Sequence, residues 1–286
     1  MLVIASGVAP VRNDYEFRPN SDFYWLTGAA VEDAVIVLTP YPGGHEAILY
    51  VPKPYYPGHP KFFSDSAHGE LWVGAAPGFL DWTQALDIPV KDVAELELNA
   101  GTNTLVAGTM GPERQWNRGL AISAQLQRTL SELRLVKDTW ELGQMRSAVA
   151  HTVDGLTAVA KEIPTAINEL GERWLQGTFD RFARSYGNGP GYRTIVGSGK
   201  HAPTLHWTRC DGPVLERELL LLDMGVEGNS FYTADVTRTL PASGTFSEVQ
   251  LRVHDLVEKA HRAGLAQVRP GNFFSDFHHA AMQVIA

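Results

Sequence analysis

Two aspartates stand inside otherwise apolar runs in LLLLDMGVEGNSFYTADVTR, residues 219 to 238. A charge in such a setting needs a partner, because an isolated buried carboxylate is costly. Leu219 to Met224 and Phe231 to Val236 are rich in apolar, aromatic and β-branched residues, and Gly228-Asn229-Ser230 between them has turn chemistry, so the stretch reads as a β-hairpin. With the turn centred on Asn229, Asp223 and Asp235 fall directly opposite each other on one face, where like charges repel. Hard oxygen ligands opposed in this way can hold divalent cations such as Mn²⁺, Mg²⁺ or Ca²⁺. A twist or bulge would instead turn one Asp to solvent or into a turn cap. Upstream, YRTIVGSGKHAPTLHW, residues 192 to 207, reads as a strand, a Gly-rich connection and a second strand carrying His206. By pattern alone, a lone histidine of this kind is more often a satisfied core or edge residue than a functional one.

The elements that must position these residues follow from periodicity. Residues 1 to about 132 alternate strands (Leu2 to Ala5, Ala34 to Leu38, Ala47 to Val51, Thr104 to Ala107) with turn-rich or helical stretches, which predicts an α/β layer domain over 1–132. Near Leu133 a second domain, 133–286, opens with a long helix. Asp138 is its N-cap and Glu141 completes a capping box, with Leu142, Met145, Val149, Leu156, Val159 and Ile163 as the packing face and Pro164 as the stop. A second helix is expected from Glu169 to Tyr186, capped by Asn168, with Leu170, Trp174, Phe179 and Phe182 towards the core. After the hairpin, Thr245 and Glu248 form a capping box for a helix towards Val268 that packs through Val249, Val253, Leu256, Ala260 and Gly264. A last helix runs from Ser275 to Ala286. Its His278 and His279 point about 100° apart, which makes a poor chelating pair.

Composition narrows the function classes. The 286 residues carry a net charge of −8 and no long basic run, which argues against a generic nucleic-acid surface and favours small-molecule or peptide substrates. Cys210 is the only cysteine, so no intramolecular disulfide can form, in keeping with a reducing cytoplasm. No apolar run approaches membrane-spanning length, and MLVIASGVAPV lacks the basic flank of a signal peptide, so a first β-strand is the better reading.

The segment LDMGVEGNSFYTADVTRTLPASGTFSEVQ resembles the D-x-G and D-[IV]-T-R-T segments of the M24 metallopeptidases, within them most closely the Xaa-Pro aminopeptidases. FRPNSDFYWLTG (Phe17 to Gly28) and SDSAHGELWVG (Ser64 to Gly74) are similar to the amino-terminal domain of the same enzymes, and RLVKDTWE to the start of their pita-bread domain. The resemblance implies an α/β amino-terminal domain followed by the first half of an α+β pita-bread domain. It implies two divalent metal ions, Mn²⁺ by the carboxylate-rich donor set, held by Asp223 and Asp235. It further implies that His206 lies beside the metals and contacts substrate. Thr237 and Arg238 are placed either to hydrogen-bond the ligand carboxylates or as solvated strand-end residues.

The reaction implied is release of the amino-terminal residue from peptides with proline second, through a water activated by the dinuclear centre, in a homo-oligomer. The family's remaining ligands, a His in an H-G-[hydrophobic]-G-H segment and two Glu, do not occur after Asp235. The expectation is therefore a chain truncated within the catalytic domain, inactive alone and exposing an apolar face. The rival readings are a non-catalytic binding protein on the same creatinase-like fold and a prolidase.

Overall fold

The structure is a computed structural model describing residues 1–9, 16–98, 103–109 and 121–286. The last two residues of MLVIASGVAPV lie outside this set. The described chain forms two compact units, Met1–Val136 and Lys137–Ala286.

The first unit is built on a five-stranded sheet of β1 (Leu2–Ala5), β2 (Val35–Tyr41), β3 (Gly44–Val51), β4 (Val90–Asp92) and β5 (Leu105–Ala107), in the order β4-β3-β2-β1-β5. β1–β2 and β2–β3 pair antiparallel, whereas β5 and β4 add in parallel at the two edges. Strand alternation divides the apolar residues between two faces. Ile4, Ile36 and Leu49 join Phe23 of α1 (Ser21–Thr27) and Leu126 and Leu130 of a later helix, while Val3, Val35 and Val37 join Val93 and Val106 on the other side. Within FRPNSDFYWLTG, Phe23 is core and Trp25 is exposed. Short helices α2 (Lys61–Ser64) and α3 (Glu70–Val73), then α4 (Phe79–Leu86) and α5 (Ala124–Leu133), complete the unit.

In the second unit, α6 (Thr139–Lys161) opens on the expected capping box: Asp138 Oδ1 accepts from Glu141 N at 2.8 Å, and Glu141 Oε2 from Asp138 N at 2.7 Å. Its packing face is the predicted one only towards its C-terminal end, where Leu156, Val159 and Ile163 pack in the core. Glu141, Ala148, Thr152, Gly155 and Val159 are buried, while Leu142, Met145 and Val149 are exposed. The reason is close approach: a Cβ at Gly155 would stand 2.8 Å from the ring of Phe179, so small residues let α8 (Gly171–Tyr186) cross closely here. Helical structure also runs on through Pro164, as the short α7 (Ile163–Thr165) and a wide turn over Ala166–Leu170. Proline in a first helical turn loses no intrahelical bond. Asn168 is not a cap; its amide donates to the Pro164 carbonyl instead, and α8 begins at Gly171. On α8 the buried positions are Gly171, Glu172, Leu175, Thr178, Phe179 and Ala183, leaving Leu170 and Trp174 exposed.

β7 (Ile195–Ser198), β8 (Leu219–Met224) and β10 (Val236–Pro241) form an antiparallel sheet in the order β10-β8-β7, and the two-residue β6 (Gly189–Pro190) and β9 (Val226–Glu227) pair beside it. On β8 the side chains of Leu220, Leu222 and Met224 enter the core with Val159, Leu175 and Phe179. The pleat therefore turns Asp223 to the face away from that core.

α9 (Glu248–Leu265) is capped by Ser247 with Gln250, not by Thr245 with Glu248. Serine and glutamine supply the same chemistry two residues later, and the chain enters the helix only there. Ala260 and Gly264 of its predicted face are buried, Gly264 against Phe277 of α10 (Phe274–Ile285), but Val249, Val253 and Leu256 are exposed. No helix among the described residues is long and apolar enough to cross a membrane.

Candidate metal-binding face

The hairpin carrying the two aspartates turns one residue later than its sequence suggests. Gly228 N donates to Tyr232 O and Ala234 N to Val226 O, which centres the turn on Ser230. Asp223 accordingly faces Thr237, not Asp235, and β10 begins only at Val236. The apolar Phe231 to Ala234 segment is drawn into the turn by contacts outside the hairpin. Tyr232 donates its hydroxyl to Glu141 and packs edge-on against Trp140, and Ser230 donates to Gln144, so the N-terminus of α6 holds the turn. From the same helix, Thr152 Oγ1 accepts the buried Val226 N–H at 2.9 Å.

Moving a turn centre by one residue shifts the cross-strand pairing by two, which preserves the facing of every side chain. The aspartates therefore stay on one side, diagonal instead of opposed. Tyr192 joins them: its hydroxyl lies 2.7 Å from Asp223 Oδ1 and 3.0 Å from Asp235 Oδ1. One phenolic proton serves two carboxylates, and burial, followed by the two acidic neighbours, raises the phenol well above its ordinary pKa. Gly225 makes the approach possible. A Cβ there would stand 1.7 Å from the Ala234 carbonyl oxygen and 3.1 Å from the Tyr192 ring, so the glycine of D-x-G is a spatial requirement. Gly191 plays the same part on the adjoining loop: its N–H donates to Gly225 O at 2.9 Å, and a Cβ would meet Thr233 Oγ1 at 1.9 Å. The Tyr192 side chain also lines an open cavity of about 550 Å³ with Gln176, Asp180, Pro190, Arg193 and Thr194.

His206 is not on a strand. It sits exposed in a turn of the irregular segment 199–212, and its imidazole has no hydrogen-bond partner among the described residues. Instead of strand pairing, the segment is tied to one side chain, Glu172, which accepts from Ser198 N, His201 Nδ1, Trp207 Nε1 and Gly212 N. The segment then runs back beside β7: Arg193 Nη2 lies 3.5 Å from Thr208 O, and Cys210 Sγ approaches Thr194 O at 3.6 Å. Cys210 is buried and its thiol is pushed up chiefly by that burial, in line with a small core residue. Thr237 is exposed with no side-chain hydrogen bond among the described residues, and Arg238 donates to its carbonyl.

Chemically, Asp223 and Asp235 suit a hard divalent cation. Each carboxylate can accept several hydrogen bonds, yet among the described residues they share one hydroxyl, leaving oxygen lone pairs for a metal. Another acidic group, His254, Asp255 and Glu258, lies on the surface of α9 with Glu258 paired to Arg262, and has no such convergence on the sheet. Pattern reading missed Tyr192 and Glu172. Glu172 had a signal, since it occupies an apolar-stripe position with Leu175, Phe179 and Ala183; Tyr192 had none, because its reach depends on two distant glycines.

The fold has known counterparts. Aminopeptidase PepP of Pseudomonas aeruginosa and proline aminopeptidase P II of Yersinia pestis superpose with TM-scores of 0.80 and 0.78 at 24% and 23% identity, over 99% of this chain and 67% and 68% of theirs. Those likenesses bear on the fold, an amino-terminal α/β domain followed by part of a pita-bread domain. Xaa-Pro aminopeptidase 2 of Streptomyces coelicolor is 44% identical over all of this chain and 62% of its own length, and Xaa-Pro aminopeptidase 1 of that organism is 41% identical over 60% of its length. The chain thus spans about three-fifths of the curated relatives it matches. Residues 1–104 match the aminopeptidase P amino-terminal domain. Residues 143–286, half of the chain, match the metallopeptidase model, and the chain belongs to metallopeptidase family M24.

Proposed function

We propose that this chain is part of a metallo-aminopeptidase that releases the amino-terminal residue from peptides with proline at the second position. The reading is carried by one observation: two aspartates from one hairpin converge on a single tyrosine hydroxyl and keep most of their acceptor capacity open. Its support from relatives is the name Xaa-Pro aminopeptidase borne by proteins 44% and 41% identical to it. In this reading residues 1–132 are the amino-terminal domain and 133–286 the part of the catalytic domain that bears Asp223 and Asp235. These would hold two divalent cations, Mn²⁺ by their hard oxygen donors. Bound there, the cations supply Lewis acidity towards a peptide carbonyl and a more acidic water.

The chain's own residues do the rest. Tyr192 donates its proton to the ligand carboxylates and fixes their rotamers, Thr237 stands across from Asp223 to support it, and His206 offers an imidazole N–H to the substrate. The working protein is a cytoplasmic homo-oligomer acting on peptides, with no nucleic-acid or membrane partner.

Two experiments test this. In a Mn²⁺ titration of the chain, paramagnetic broadening should centre on the amide signals of Tyr192, Asp223 and Asp235 and vanish in D223N/D235N; broadening elsewhere would sink the assignment. With the full-length protein, hydrolysis of an Xaa-Pro tripeptide but not of an Xaa-Pro dipeptide is expected. The reverse preference would make it a prolidase, and no hydrolysis of either would make it a binding protein.

A further inference from the structure

We infer that Glu172 is the positioning residue for His206, an inference that rests on the peptidase reading above. Glu172 is fully buried on the first turn of α8. Its Oε1 accepts from Ser198 N and His201 Nδ1, both at 2.8 Å, and its Oε2 from Trp207 Nε1 at 2.8 Å and Gly212 N at 2.9 Å. Two donors on each oxygen saturate a carboxylate. The Glu172 N–H also donates to Gly212 O at 2.9 Å, so carboxylate and backbone together hold Gly212 at both its polar atoms. Gly171 allows this, with φ of 65° and a position where a Cβ would meet Gly212 O at 2.4 Å.

The four donors come from the start, middle and end of the segment that carries His206. That segment is irregular, so its stiffness comes from side chains and not from a backbone ladder. Trp207, next to His206, is held twice: its indole N–H by Glu172, and its ring by stacking on His201, with centroids 4.0 Å apart and planes at 21°. Trp207 N donates to Thr204 O and Thr208 N to His206 O, which closes the turn about His206 itself. The His206 ring is exposed and has no hydrogen-bond partner among the described residues, so its direction is set by the backbone that Glu172 pins. Nothing in Glu172 reaches solvent or substrate. Its effect on the reaction runs through His206.

The test is a double-mutant cycle on the full-length protein, using an Xaa-Pro tripeptide and reading kcat and KM. Misplacing a catalytic group by about 1 Å costs about a hundredfold, so E172Q, which puts an amide donor against two of the four N–H groups, is expected to lower kcat/KM at least tenfold. In an H206A background the same change should cost less than about twofold, because the group it positions is gone. W207F, which keeps the stacked ring and loses one donor, should give a smaller loss with the same dependence on His206; it stands in if E172Q does not fold. Mn²⁺ affinity should stay at the wild-type value in both. Losses that are equal with and without His206 would overturn the inference. If the wild-type protein hydrolyses no peptide, the peptidase reading fails and positioning is decided by the His206 imidazole signals. Broadened or doubled signals in W207F uphold it, and signals unchanged from wild type refute it.

Discussion

The second unit holds acidic side chains in two opposite states. Glu172 is buried and meets four N–H donors. Asp223 and Asp235, on the face of the sheet away from the core, share one phenolic proton. The same functional group is structural where its lone pairs are filled and available for binding where they are not. Saturation accompanies that difference, since a carboxylate with four donors has no capacity left for a cation.

The largest expected effect comes from emptying the filled site. Glu172→Ala strands four donors, three of them backbone or indole N–H groups in the interior, and should cost more than about 3 kcal/mol, read as a lowered urea midpoint. A loss under about 1 kcal/mol would mean that water replaces the carboxylate and the contrast is false. Next is Gly225→Ala, which drives a methyl into the Ala234 carbonyl. About 2–3 kcal/mol and loss of Mn²⁺ broadening are expected together. Stability lost with metal binding intact would separate the hairpin's packing from its chemistry.

The open site should respond in the other sense. Asp223→Asn or Asp235→Asn removes one of two like charges, so thermal stability should move by less than about 1 kcal/mol while Mn²⁺ binding disappears. Tyr192→Phe keeps both ligands and removes the shared proton. Metal affinity should fall about tenfold, measured by the same broadening titration, and an increase would show that the phenol competes with the metal instead of orienting its ligands.

Asp180 is an intermediate case. Burial raises its carboxyl above the usual range and the Thr194 hydroxyl, 2.6 Å away, partly lowers it. With the folded pKa above the unfolded one, the folded chain binds the extra proton between the two values, so stability is highest below that window and declines as pH rises through it. Asp180→Asn should remove that decline, the smallest effect of the set, visible in unfolding midpoints taken from pH 3 to 6.

Much of this could be read in the residues. The strand at Leu2 to Ala5, the Asp138 capping box and the aspartates on a common hairpin face all appear where the pattern puts them, because each shows in the types and spacing of residues close in sequence. The errors are of another kind. Leu142, Met145 and Val149 have helical spacing, yet the buried stripe of α6 is Ala148, Thr152 and Gly155, chosen by the close passage of Phe179 and by a hydrogen bond to Val226. His206 has strand-like neighbours, yet it lies in a turn, and the segment around it is tied to the carboxylate of Glu172 on α8. Asn229 is the better turn residue, yet contacts from Tyr232 and Ser230 to α6 move the turn to Ser230.

By itself, then, the sequence determined the longer helices and most of the longer strands, which residues carry hard oxygen donors on the hairpin, and the family of the chain, since these follow from local spacing and from side-chain chemistry. Only the tertiary structure decided the exact register of the hairpin, the tyrosine that joins its two aspartates, and the buried glutamate that holds the His206 segment. Each of those is a contact between segments 26 to 91 residues apart, and such a contact is settled by which partners meet in three dimensions, not by any periodicity along the chain.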